Sequence, residues 1–215
     1  MTAIKAHLRT LILSLAAGFC IGIGGIVFLM QDSKFAGAFL FSVGLLTILV
    51  FKFNLFTGMV GYLTERLCEK KWGYLLTLLI VWIGNFLGTA SAAGLIRLTR
   101  IGDAVANKAL GLAITKIADR WCSLLILGVF CGLLMFIAVD TYKKNIEKKD
   151  FLCCIAVFMG VMVFILAGFE HSIADMFYFV VAGKVTDAIP ALLLITLGNA
   201  IGGNLIPVVQ KLTKE

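Results

Sequence analysis

Two hydrophobic stretches of this chain are too long to be single straight membrane helices, and each is broken near its middle by polar residues. The first covers about 35–64 and holds Lys52-Phe53-Asn54-Leu55-Phe56-Thr57-Gly58; the second covers about 151–183 and holds Gly168-Phe169-Glu170-His171-Ser172. About 20 helical residues suffice to cross a bilayer core. Each stretch therefore reads as two half-helices joined by a short loop, which lipid tolerates only where the loop is buried in protein or lines a cavity. The breaks also repeat: Thr57 and His171 stand 114 positions apart, and the same spacing carries Gly84-Asn85 onto Gly198-Asn199 and Gly88 onto Gly202. A repeat of this kind implies a duplicated channel or transporter with its pathway between the halves.

Composition supports a membrane protein. Of 215 residues 61% are hydrophobic and 14% charged, with a mean hydropathy of +1.04, more apolar surface than a soluble domain can hide. No strand-like alternation suggests a barrel. Six spans read out, at about 10–30, 35–64, 72–96, 121–141, 151–183 and 187–210. Lys5 and Arg9 precede an apolar segment too long for a signal-peptide core, so it reads as the first membrane helix. The expected architecture is an all-α membrane protein with one pore domain over 1–215. Repeat one covers about 10–96, an outer linker about 97–120 and repeat two about 121–210. Three spans per half make the repeats inverted. Phe19-Cys20 and Phe130-Cys131, 111 apart, read as a further match.

With the N-terminus inside, eleven Lys and Arg fall on the cytoplasmic side, Lys149 and Lys214 among them, against Lys34 and Lys184 in the short outer loops. The linker adds Arg97, Arg100, Lys108, Lys116 and Arg120 outside, which weakens the bias without reversing it. The expectation is a multi-pass protein of the cell (inner) membrane with both termini cytoplasmic. The linker mixes small, apolar and charged residues over Ile101–Ala118, as an amphipathic helix on the outer surface would. Basic residues confined to loops do not imply nucleic acid. The six cysteines include no CxxC pair and read as small apolar side chains, with neither metal nor cofactor implied. No Ser/His/Asp set, HExxH or P-loop is present, so no enzyme is expected.

The breaks carry the candidate chemistry. A helix restarting at Thr57-Gly58 or Ser172-Ile173 presents unpartnered N–H groups and the positive end of its dipole, and two such ends near the midplane suit a small anion. His171 lies mid-membrane beside Glu170, and intramembrane ionisable groups are functional by default. Burial disfavours the imidazolium and an arriving anion favours it, so His171 could donate a hydrogen bond or lend a proton, with Thr57 opposite. Lys52 could face the pathway, pair with Glu170 or Asp175, or snorkel along a cavity. Asn85 and Asn199, each in Gly-Asn-x-x-Gly, suit close helix packing and tying down the loops.

Gly168-Phe169-Glu170-His171-Ser172-Ile173-Ala174-Asp175-Met176-Phe177, Asn54-Leu55-Phe56-Thr57-Gly58, Gly128-Val129-Phe130-Cys131-Gly132 and the Gly-Asn-x-x-Gly of the sixth span together resemble the formate/nitrite transporter family over nearly the whole chain. The resemblance implies a homopentamer, each protomer holding its own pore in an aquaporin-like fold of six spans and conducting small monovalent anions such as formate, nitrite or hydrosulfide. It implies Thr57 and His171 as the central polar pair, and Phe41, Leu45 and Phe164 as a cytoplasmic-side constriction. Phe56 with Met135 would form the outer one, Lys116 would lend positive charge outside, and Glu170 would support the loop around His171. An anion taking a proton from His171 would cross as neutral acid, linking flux to pH; one that does not would pass through a passive channel. The chain departs from the family pattern at Lys52, usually small, and Asn54, usually acidic. It departs again at Gly132 and Asp175, both usually asparagine. Cys131-Gly132 in place of Cys-Asn leaves a hydrosulfide-like or unassigned branch open. The alternative is a neutral-solute pore of aquaporin or urea type, which would ordinarily carry paired Asn-Pro-Ala loops; the prolines here are Pro190 and Pro207.

Overall fold

The computed structural model describes residues 3–148 and 150–213; Lys149 and Lys214, counted above with the inner cations, lie outside them. The described residues form helices and turns only. The order is α1 Ala3–Met30, α2 Lys34–Val50, α3 Phe56–Met59, a 3-10 turn Val60–Tyr62, α4 Leu63–Cys68, α5 Gly73–Arg97 and α6 Gly102–Ile117. There follow α7 Trp121–Asn145, a 3-10 turn Ile146–Lys148, α8 Leu152–Ala167, α9 Ser172–Val181 and α10 Val185–Leu212. Four helices are long and apolar enough to cross a membrane by themselves, and α8 with α9 make a fifth span bent by 57°. The apolar α2 has 17 residues, about 26 Å at the helical rise.

The helices pack pairwise through small residues. A side chain at Gly18 would overlap the Asn85 carbonyl, and one at Gly88 the Leu15 carbonyl, so α1 and α5 touch backbone to backbone. The pair α7 and α10 repeats this with Gly132 on Asn199 and Gly202 on Val129. Small-residue contact is how helices associate where lipid removes the hydrophobic drive between them. Both contacts recur at the spacing of 114 that separates Thr57 from His171. At that spacing Gly18 answers to Gly132, so Phe19-Cys20 does not answer to Phe130-Cys131; the match at 111 is fortuitous.

Two segments differ from expectation. After the first break no long half-helix forms: α3 spans only 4 residues and gives way to the 3-10 turn. Gly58 and Gly61 weaken helix here, and Gly61 is held against Phe136 and the Gly203 backbone. In the linker, α6 is not merely a surface helix. Its stripe Val105, Ala109 and Ala113 is fully buried, packed chiefly on α9, and this brings Lys116 into the protein interior.

Candidate functional site

Two buried asparagines hold the breaks. Asn85 accepts from the Phe56 N–H (2.9 Å) and donates to the Ser14 (2.7 Å) and Asn54 (2.9 Å) carbonyls. Asn199 accepts from the Ser172 N–H (2.9 Å) and donates to the Gly128 (2.9 Å) and Glu170 (2.8 Å) carbonyls. The bonds to Ser14 and Gly128 each reach back 71 residues, so these contacts share one register. The bonds to the breaks reach back 29 residues from Asn85 and 27 from Asn199. The breaks are therefore offset by two: Phe56 answers to Ser172 and Leu55 to His171, and Thr57 is not the repeat partner of His171. The asparagines also occupy N–H groups that the sequence leaves free for an anion.

Thr57 and His171 nevertheless meet. Thr57 Oγ1 lies 2.9 Å from His171 Nε2, with the residues 0% and 2% exposed. His171 is the N-cap of α9, and its Nδ1 accepts from the Ala174 N–H at 3.1 Å. A backbone N–H can only donate, so Nδ1 carries the lone pair and the neutral ring has its proton on Nε2. That proton is donated to Thr57 Oγ1, which leaves the threonine hydroxyl proton for another acceptor. The His171 ring stacks on Phe164 (centroids 5.3 Å apart), and Phe164 meets Phe41 edge-on at 6.0 Å. Gly168, with φ +77, ends α8 in the left-handed conformation that lets the chain turn into this loop.

Charge gathers to one side of the pair. Lys116 Nζ bonds Glu170 Oε2 and lies 3.0 Å from Asp175 Oδ1, with side chains 13%, 7% and 2% exposed. Burial alone disfavours the Lys116 ammonium, but Asp175 and then Glu170 outweigh it and raise its pKa above the ordinary lysine range. Lys116 is thus matched by carboxylates rather than free to attract an anion. It also takes both acids that Lys52 could have paired with. Lys52 sits instead at the exposed start of the first break, with a left-handed φ of 56 and, among the described residues, no ion pair. Asn54 donates its N–H to the Leu13 carbonyl (3.3 Å).

A cavity flanks the pair on each side. One of about 110 Å³ is lined by Phe28, Lys34, Lys116, Phe164, His171, Asp175 and Tyr178. The other, about 520 Å³, is lined by Ile48, Leu49, Lys52, Phe53, Asn54, Met59, Tyr142, Lys143 and Glu147. The two share no lining residue, and Thr57 together with Phe41, Leu45, Phe56 and Met135, all under 8% exposed, fills protein interior. The sides expected for the aromatics are reversed. Phe164 lines the cavity of Lys34 and Lys116, the lysines expected outside, and Phe41 packs on Phe164 about 10 Å along α2 from Lys34. Phe56 opens the short segment that runs to Met59 in the Lys52 cavity. Met135 lies about 21 Å along α7 from Trp121, nearer the Lys52 side. Leu45, one turn before Leu49, is on that side as expected. The reason is direction: α8 climbs away from the Lys148 end, so its last turn, with Phe164, reaches the Lys34 side.

Sequence reasoning left Asn204 out. Its Oδ1 accepts from the Thr64 N–H (3.0 Å) and hydroxyl (2.8 Å), and its Nδ2 donates to the Val60 carbonyl (2.8 Å), fastening the segment after the first break to α10. An asparagine directly after Gly202-Gly203 inside an apolar helix was the available signal. By sequence Lys34 is a loop charge, yet its ammonium donates to the Leu166 carbonyl at the end of α8 (3.2 Å).

Broken segments that meet at a buried polar pair, with separate cavities to either side, are the build of a membrane channel or transporter. The formate/nitrite transporter profile matches residues 2–211, and the chain belongs to that family. The formate channel FocA of Haemophilus influenzae is 26% identical over 76% of this chain, which spans 62% of that protein's length. The uncharacterized transporter YwcJ of Bacillus subtilis is 30% identical over 93% of this chain and 85% of its own. A solved structure, a pentameric formate channel with formate bound, superposes with a TM-score of 0.79 at 20% identity over 98% of both chains, which shows a common fold.

Proposed function

We propose that this protein is a transmembrane channel or transporter for small monovalent anions of the formate, nitrite and hydrosulfide class. We place it as a homopentamer in the cell membrane, with both termini cytoplasmic and one pathway through each protomer. In this reading the spans form two inverted three-span repeats, α2 with α3 and α4 making the second span. The observation that carries it is the Thr57–His171 bond at 2.9 Å between two cavities on opposite sides of the buried joint. An anion leaving one cavity sheds water against Phe41 and Phe164, or against Phe56, Leu45 and Met135 from the other side. Such rings exclude bulky and multiply charged solutes. At the centre the Thr57 hydroxyl donates to the anion while the His171 Nε2–H donates to Thr57, so each bond strengthens the next.

Proton linkage through His171 has a definite structural requirement in this reading. Giving up the Nε2 proton from the neutral ring would leave an imidazolate. A proton-lending His171 must first be an imidazolium, and its Nδ1–H would then face the Ala174 N–H that it now accepts. The geometry therefore favours His171 as hydrogen-bond donor.

The test is flux into proteoliposomes of formate, nitrite, hydrosulfide, chloride and glycerol. The small weak-acid anions should pass and glycerol should not. Thr57→Val should lower anion flux by roughly 10- to 100-fold, the value of a hydrogen bond to a charged group. Glycerol flux without anion flux would refute the reading.

A further inference from the structure

The charged set on the Lys34 side does not balance. Lys116 contributes one positive charge, and Glu170 and Asp175 two negative ones, within a single buried contact. Asp175 is 1% exposed, and its Oδ2 has no hydrogen-bond partner among the described residues. Both carboxyls are held against the one Lys116 ammonium. Two carboxylates are both acceptors and repel each other unless a proton lies between them. Around them stand Lys116 from α6, His171 from the loop, Tyr178 from α9, Cys131 from α7 and Lys34 from the start of α2. Of the two cations, only Lys116 lies at salt-bridge distance from the acids; Lys34 donates to the Leu166 carbonyl. A buried set with one excess negative charge is strongly disfavoured, and one bound proton removes the excess.

We propose that Glu170 and Asp175 share one proton beside Lys116, and that this site protonates an anion arriving in the adjoining cavity. Lys116, Asp175 and His171 all line that cavity. The carboxyl O–H bond breaks, its electron pair stays on the carboxylate, and the proton forms an O–H or S–H bond on the anion. The neutral acid then passes Phe164 and the Thr57–His171 pair. The carboxylate left behind takes a proton from water on the Lys34 side. His171 keeps its Nε2 proton throughout, so the cap on Ala174 is never released. The inference rests on the small-anion reading and adds to it the source of the proton.

The experiment uses the full chain in lipid. Infrared difference spectra between alkaline and acid pH should show the carbonyl stretch of a protonated carboxyl. Asp175→Asn should abolish it, because Lys116 is then balanced by Glu170 alone. In proteoliposomes an inward proton gradient should accelerate formate uptake by the unaltered protein. In Asp175→Asn the ratio of uptake with and without the gradient should fall towards parity. If Asp175→Asn does not assemble, Glu170→Gln neutralises the same pair and should give the same two losses. A spectrum without the protonated-carboxyl band, or a band unchanged in both variants, overturns the shared proton. Absence of any formate flux in the unaltered protein, with the band present, refutes the transport reading and leaves the proton site standing.

Discussion

Replacing Asn199 by leucine isolates what holds the second break in place. The side chains are similar in size, so little cavity is created, and the loss is that of three hydrogen bonds at a position 0% exposed. The Gly128 carbonyl lies within α7 and keeps its helical bond. The Ser172 N–H at the start of α9 and the Glu170 carbonyl in the loop have no helical substitute. Each buried group left unpaired costs about 1–3 kcal/mol, and lipid supplies no water to replace the partner. The expected loss is therefore about 2–6 kcal/mol. For a chain of this size each kcal/mol moves the melting temperature by about 2–4 °C, so Asn199→Leu should melt roughly 5–20 °C below the unaltered protein. Tryptophan fluorescence on the purified protein in lipid nanodiscs reads this. Asn107→Ala, at an exposed position on α6, serves as control and should move the melt by about 1–2 °C at most. Anion flux should fall as well, because Glu170 and Ser172 flank His171. A melt for Asn199→Leu as small in its shift as the control's would refute the anchoring role.

Gly132→Asn restores the residue that the family pattern usually has, yet its side chain would overlap the Asn199 backbone. Overpacking of this kind costs about 1–3 kcal/mol or more, so the variant should melt lower or fail to assemble on gel filtration; an unchanged melt would mean that α7 and α10 are not held this close. Lys116→Met leaves Glu170 and Asp175 without their cation and should cost about 3–5 kcal/mol. Adding Asp175→Asn should recover part of that loss, and a double variant no more stable than the single one would argue against the buried contact.

The long apolar helices and the asparagine anchors were legible because membrane burial leaves strong marks. Long apolar runs and a Gly-Asn-x-x-Gly repeat follow from lipid and from helices in backbone contact. The match of Thr57 with His171 was right about contact and wrong about symmetry. A loop has no period, so its register cannot be read along the chain; only the bonds to Asn85 and Asn199 fix it, two residues away from the helical register. The burial of α6 was hidden for another reason. Its inward stripe is valine and alanine, too small to stand out among the charged residues beside it. With α6 placed on the surface, the Lys116 contact to Asp175 could not be foreseen.

The anchors also change where positive character resides. Two short helices starting near the centre would suggest an anion site made of free N–H groups. Here the Phe56 and Ser172 N–H groups go to asparagines and the Ala174 N–H goes to His171. What is left at the centre is a hydroxyl proton backed by an imidazole, a modest donor that suits a passing anion better than a tightly held one. Cations outside salt-bridge contact stand further out, on both sides. Lys34 donates to the Leu166 carbonyl beside the smaller cavity, whereas Lys52 and Lys143 share the larger one with Glu147. Asp140, which lines a neighbouring cavity with Lys143, is engaged through one oxygen by Lys144 (2.7 Å) and through the other by Tyr62 (3.3 Å). Lys143 lies instead over the Tyr62 ring at 4.6 Å. Each cavity thus carries cations that attract an anion, and the proton site proposed above adjoins the one on the Lys34 side.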